Sequence, residues 1–143
     1  MKPTVILLRN GQQKQYLNLL SILSLRLDGA DATVVTNIDE LAAPRMSETI
    51  SRELRSRYNM VSIGADGVST SHGTSSRSSR TAVLSAVDQQ GTKHVVFQRG
   101  LRSLSVTDRL VLVTPTKGRS FTVPLNRPVT PEGHAALAQL GLA

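Results

Sequence analysis

Arginine is the side chain that this sequence offers most freely for chemistry. Thirteen of its seventeen basic residues are Arg, set against ten carboxylates, for a net charge of +7 over 143 residues. A guanidinium presents a planar fork of donors that fits a phosphate through two parallel hydrogen bonds, and it sheds water more readily than an ammonium. The charge is unevenly spread. Residues 1–66 carry eight basic and seven acidic side chains, whereas residues 67–143 carry nine and three. The second half therefore holds the candidate electrostatic footprint: Arg77, Arg80, Lys93, Arg99, Arg102, Arg109, Lys117, Arg119 and Arg127. This set points to a polyanionic partner, nucleic acid first and RNA in particular, held through phosphates without base readout. The competing reading makes them solvated strand positions that keep a basic protein soluble.

Other chemistry is sparse. There is no Cys, which excludes disulfides, thiolate nucleophiles and Cys-ligated zinc. His72, His94 and His134 stand apart, without the spacing of metal ligands. Ser71-His72 with Asp66 contains the residue types of a nucleophile set, but neighbours on a loop do not hold the ~3 Å geometry that such chemistry needs. Gly64-Ala65-Asp66-Gly67 lacks the Gly-Lys-Ser/Thr of a phosphate loop and reads as a turn. Asp39-Glu40 is an acidic pair where a helix start would favour acid through its dipole. The expectation is a protein that is not an enzyme and that takes no metal or other cofactor.

The elements that must position the basic set read mostly as strands. Residues 4–8 form an apolar run ahead of Asn10-Gly11, a strong hairpin dipeptide because both residues tolerate positive φ. Residues 15–27 alternate as a strand, or one that bends, with Leu17, Leu19, Leu23, Leu25 and Leu27 on one side; a helix is the competing reading. Asp28-Gly29 is a turn, and residues 32–36 are a further β run. Asn37 with Glu40 suggests a helix N-terminus, so residues 38–58 read as a helical segment interrupted at Pro44. Within it Met46, Ile50, Leu54 and Tyr58 form one apolar stripe, opposite Arg45, Glu48, Arg52 and Arg55. Residues 59–63 read as a strand.

Residues 69–81 contain nine Ser or Thr in thirteen and no apolar side chain, the composition of a flexible loop. From Thr81 the chain reads as a β-meander: strands at 81–87, 93–98, 101–106, 109–114 and 119–125, with turns at Asp88–Gly91 and Pro115–Gly118. Pro124 marks a strand end or an edge. Thr130-Pro131-Glu132 signals the start of a short terminal helix carrying Leu137 and Leu140. The fold class is therefore α+β: an antiparallel meander sheet with an N-terminal hairpin, one internal helical segment and a short C-terminal helix, in a single domain spanning 1–143.

With aromatics at 3% and no Trp, the core rests on Leu, Val, Ile and Ala. One modest sheet leaves the stripe Met46, Ile50, Leu54, Tyr58 and the terminal Leu137 and Leu140 in need of cover. A partner subunit is the economical source, so these six residues are the expected oligomer interface. No apolar run approaches the ~20 residues of a membrane span, and the N-terminus lacks a signal-peptide pattern. The expected setting is a bacterial cytoplasm or a virion, without membrane attachment.

The order of elements resembles that of single-stranded RNA phage coat proteins. The likeness lies in the hairpin from Thr4 to Leu20 around Asn10-Gly11, the meander from Thr81, and the join 119–125 followed by Thr130-Pro131-Glu132 and a helix. The segment 38–58 and the lack of a second terminal helix depart from that plan. The resemblance implies a dimer whose sheet faces packaged RNA within a closed shell. The alternative is a small DNA- or RNA-binding regulator, or ribonucleoprotein component, that forms no particles.

Overall fold

The computed structural model describes residues 5–10, 12–71, 82–138 and 140. The fold is α+β. The N-terminal hairpin joins β1 (Val5–Asn10) to β2 (Gln13–Asn18), with Asn10 opposite Gln13. The Leu-rich stretch then bends instead of running on as one strand or coiling into an α-helix. A single 3-10 turn at Leu19–Ser21 separates β2 from β3 (Ile22–Asp28). Asn18 causes the bend: its side-chain oxygen accepts the Leu20 amide at 2.9 Å while its carbonyl accepts the Ser21 hydroxyl at 2.7 Å. The break shifts the alternation, so Ile22 joins Leu17, Leu19, Leu25 and Leu27 in the core.

β4 (Asp31–Thr36) returns beside β3, and β5 (Glu40–Ala43) pairs with β4. The helix expected from Asn37 is thus corrected: its first residues are a turn and a strand. Thr36 decides the local competition. Its hydroxyl accepts the amides of Ile38 and Asp39 at 3.3 and 3.1 Å, and its own amide donates to the Asp39 carbonyl at 2.9 Å, closing a hairpin. The helix α1 (Ser47–Arg57) begins only after Pro44, once Arg45 has reversed the chain at φ 63°. Glu48 lies within 4 Å of Arg52 and Arg55, and Glu53 within 3.0 Å of Arg57, all on the helix surface.

β6 (Asn59–Gly64), β7 (Gly67–Ser71), β8 (Ala82–Val87) and β9 (Lys93–Val96) complete a seven-stranded sheet in the order β5-β4-β3-β9-β8-β6-β7. Its β6–β8 pair is parallel; the others are antiparallel. The single meander expected from Thr81 divides in two. β8 and β9 belong to the large sheet, while β10 (Leu101–Thr107), β11 (Leu110–Pro115) and β12 (Phe121–Pro124) form a separate three-stranded sheet. Pro124 ends β12 at the edge of that sheet, where no ladder hydrogen bond is lost. The terminal helix α2 (Pro131–Ala138) starts as its sequence signals, with the Thr130 hydroxyl accepting the Gly133 amide at 3.1 Å. It lies on β7, and Gly133 permits the approach: a Cβ there would stand 3.3 Å from that of Val68.

The large sheet is covered on both faces. On one face α1 lays Ile50 and Leu54 over Leu25, Val34, Met60, Val83 and Val95, with Phe97 and Tyr58 meeting edge to face at 5.4 Å. On the other, Val111, Val113 and Val123 of the small sheet and Ala136 and Leu137 of α2 cover Val61, Ile63, Leu84 and Val96. This corrects the expected oligomer interface. Ile50, Leu54, Leu137 and Leu140 are each at most 7% exposed, and Met46 and Tyr58 pack half-buried against the first core. The chain's own large sheet covers the stripe of α1, and α2 packs with the small sheet over the other face, so the cover that a partner was expected to give comes from within the chain. Of the expected loop at 69–81, residues 69–71 end β7, paired with Met60–Ser62; residues 72–81, with Arg77 and Arg80, lie outside the described residues.

Candidate nucleic-acid interface

The small sheet covers only part of its face of the large sheet. The cover runs over β6, β8 and the end of β9, where Val61, Leu84 and Val96 are buried. Towards β3, β4 and β5 the same face stays open. Register defines what stands there: Arg26 opposite His94, Ser24 opposite both Val96 and Val35, and Glu40 opposite Val35. The turn 115–120, which joins β11 to β12, forms the far wall and contributes Lys117 and Arg119. The result is a groove of two adjoining hollows of about 470 and 340 Å³, both lined by Arg26, His94, Arg119 and Phe121.

Gly100 fixes the separation of the two walls. A 3-10 turn at Gln98–Gly100 leads from β9 into β10 and sits directly on the backbone of Leu23. The Phe97 amide donates to the Leu23 carbonyl at 3.0 Å, and the Thr116 amide donates to the Gly100 carbonyl at 2.9 Å. One short crossing thus ties the groove-side turn to β3. Arg99 strengthens it. Its guanidinium lies 4.6 Å over the Phe97 ring and donates to the Leu19 carbonyl. Burial lowers the Arg99 pKa below its usual value, with the Tyr58 hydroxyl opposing the shift.

Inside the groove, His94 is braced. Its Nε2 lies 2.9 Å from Asp88 Oδ2, and the two side chains are 14% and 10% exposed. Burial alone would raise the Asp88 pKa. The His94 hydrogen bond and the amides of Thr92 and Gln90, at 3.0 and 2.9 Å, more than offset this and hold it below the ordinary carboxylate value. A carboxylate only accepts, so Nε2 is the donor of this bond. The imidazole stacks on Phe121, with centroids 3.8 Å apart and planes 13° from parallel. The groove therefore pairs an aromatic wall with cations. Arg26 shares its charge with Glu40 at 3.0 Å, and Lys117 donates to the Thr36 carbonyl at 3.0 Å.

The structure separates the sequence-predicted cations. Lys117 and Arg119 follow β11, and Arg99 and Arg102 flank the start of β10, where Leu101 pairs with Pro115; these four occupy one end of the small sheet. Arg109 and Arg127 lie at the other end, near the Leu110–Pro124 pair. Lys93 alternates away from His94 and lines a shallower hollow on the opposite face with Ser62, Ser85 and Asp66. The outer face of the small sheet carries Ser103, Ser105, Thr107, Thr114 and Thr122 beside Leu110 and Leu112, and its arginines stand at or next to the ends of strands. Arg26, His94 and Phe121 did not stand out in the sequence, since nothing in their spacing brings positions 26, 94 and 121 together.

Among the described residues, Lys93, Arg102, Arg109, Lys117, Arg119 and Arg127 form no ion pair, whereas Arg26, Arg52, Arg55 and Arg57 do. Among the same residues, no group of three or more His, Asp or Glu is placed to hold a metal ion, and no helix is long and apolar enough to cross a membrane. No protein-family model matches the chain, and no curated protein matches it in sequence. Among solved structures, a LytTr DNA-binding domain from Bacillus cereus is similar in fold, with a TM-score of 0.51, 8% identity and 97% of each chain covered. At that identity the likeness concerns the fold alone.

Proposed function

We propose that this chain is a small basic nucleic-acid-binding domain, of the regulator or ribonucleoprotein-component kind, that grips phosphates with the Pro115 end of its smaller sheet. The carrying observation is that Arg102, Lys117 and Arg119 gather at one end of that sheet with no carboxylate neutralising them among the described residues. Among the described residues, Lys93, Arg102, Arg109, Lys117, Arg119 and Arg127 of the second half form no ion pair while Arg26, Arg52, Arg55 and Arg57 of the first half do, a charge distribution that suits an anionic polymer. Its fold neighbour is a DNA-binding domain, which supports this reading and adds DNA to the RNA favoured by composition. A shell-forming coat protein remains the second proposal. The observation in its favour is the outer face of the small sheet, where Leu110 and Leu112 are 41% and 38% exposed and could seat a second copy. Titration of the full chain with labelled 20-nucleotide RNA and DNA, read by anisotropy, tests the first reading, and light scattering of the same samples tests the second. Salt-sensitive binding by a species of one or two chains supports a regulator-type domain. Particles of many subunits would favour the coat protein, and no binding to either polymer would refute both.

A further inference from the structure

We infer that the groove between the two sheets is a pocket for one phosphorylated nucleoside, with Lys117 and Arg119 on the phosphate and Phe121 against the base. The inference rests on the nucleic-acid reading and adds to it the form of the polymer: an unpaired strand, not a duplex. Three observations carry it. The hollows, at about 470 and 340 Å³, fall in the size range of small-ligand pockets, roughly 300–1,000 Å³. Their charge is placed at the mouth. Arg119 is exposed and has no ion pair among the described residues, while the two carboxylates of the groove are engaged, Glu40 by Arg26 and Asp88 by His94. An entering phosphate therefore meets cations before it meets free negative charge. The aromatic wall is rigid: Phe121 is held by the His94 ring at 3.8 Å, and Asp88 fixes that ring in turn. A preorganised ring lining an open groove is a stacking surface for a base, and only an unpaired strand or a free nucleotide offers a base face.

Both sources share the same chemistry, so the test separates them. The full chain is titrated with a labelled mixed-sequence 10-nucleotide single strand, the matching duplex, and adenosine monophosphate as competitor. Arg119→Ala is compared with Arg109→Ala, which removes the same charge about 20 Å away along the six residues of β11 at ~3.3 Å each. The inference expects single strand to bind more tightly than duplex. It expects Arg119→Ala to weaken single-strand binding about tenfold and Arg109→Ala less than twofold. Phe121→Leu is expected to erase the preference for single strand while leaving a residual electrostatic affinity. Competition by adenosine monophosphate, or binding of it alone, also supports the pocket, the latter assigning it to a free nucleotide. Equal losses from Arg119→Ala and Arg109→Ala, or a duplex preference, would overturn the pocket and leave the nucleic-acid reading intact. Absence of binding to every probe would instead remove the reading on which the pocket rests.

Discussion

Replacing Gly100 by Ala tests the account of how the groove is held open. An ideal Cβ at this position would lie 2.1 Å from the Leu23 carbonyl oxygen, 2.6 Å from its carbon and 2.9 Å from its Cα. These are backbone atoms of β3, so no rotamer change relieves the collision. Either β3 moves or the Gln98–Gly100 turn lifts from it. Lifting puts two hydrogen bonds at risk, Phe97 to Leu23 at 3.0 Å and Thr116 to Gly100 at 2.9 Å. Overpacking costs typically 1–3 kcal/mol and each lost bond about 1 kcal/mol, so the expected loss is about 3–5 kcal/mol. Against a total stability of roughly 5–15 kcal/mol, that is a large fraction. Urea unfolding followed by far-UV circular dichroism measures it, with the slope m unchanged if only the native state is affected. Gly64→Ala is the control, because open space surrounds its Cβ position; it should stay within about 0.5 kcal/mol. A Gly100→Ala loss below about 1 kcal/mol would show that the crossing does not seat the smaller sheet on β3.

Other variants probe the remaining parts. Leu54→Ala should destabilise the chain by about 2–5 kcal/mol at any protein concentration, because Leu54 is 1% exposed within its own core; urea midpoints that vary with concentration would instead point to a shared interface. Thr130→Ala should cost about 1 kcal/mol by removing the acceptor of the Gly133 amide, and Thr130→Ser should restore most of it in thermal melts. The lowered Asp88 pKa means that its stabilisation is full above 3.8, the ordinary carboxylate value, and is lost as pH falls through the lower folded-state value. Asp88→Asn should therefore be less stable than the parent at pH 6 and should lose less of its remaining stability towards pH 2; parallel pH profiles would remove this assignment.

Local rules made much of the fold legible. The strands near 4–8, 32–36, 59–63 and 109–114, the turn at Gly64–Gly67 and the helix start at Thr130-Pro131 each follow from a few neighbouring residues. The same rules misread residues 37–43, where the Thr36 hydroxyl captures the amides that a helix N-cap would have used. Non-local choices lay beyond them. The parallel pairing of β6 with β8 and the stacking of the small sheet on the large one depend on contacts among distant segments. The apolar stripe at Met46, Ile50, Leu54 and Tyr58 looked unpartnered because the face that receives it is assembled from β3, β4, β6, β8 and β9, segments far apart in the sequence. The site divides in the same way. Lys117 and Arg119 were visible through the charge skew of the second half, but Arg26, His94 and Phe121 become a site only once β3, β9 and β12 are brought together.

The salt dependence of single-strand binding tests the central claim most directly. If about three phosphates are neutralised at the Arg102, Lys117 and Arg119 end, log K should fall with log salt at a slope of about −2.1, a loss of about 20-fold between about 50 and 200 mM. The slope should become shallower by about 0.7 in Arg119→Ala, one phosphate contact fewer. A slope near zero, or one that Arg119→Ala leaves unchanged, would contradict a phosphate grip at this end of the smaller sheet.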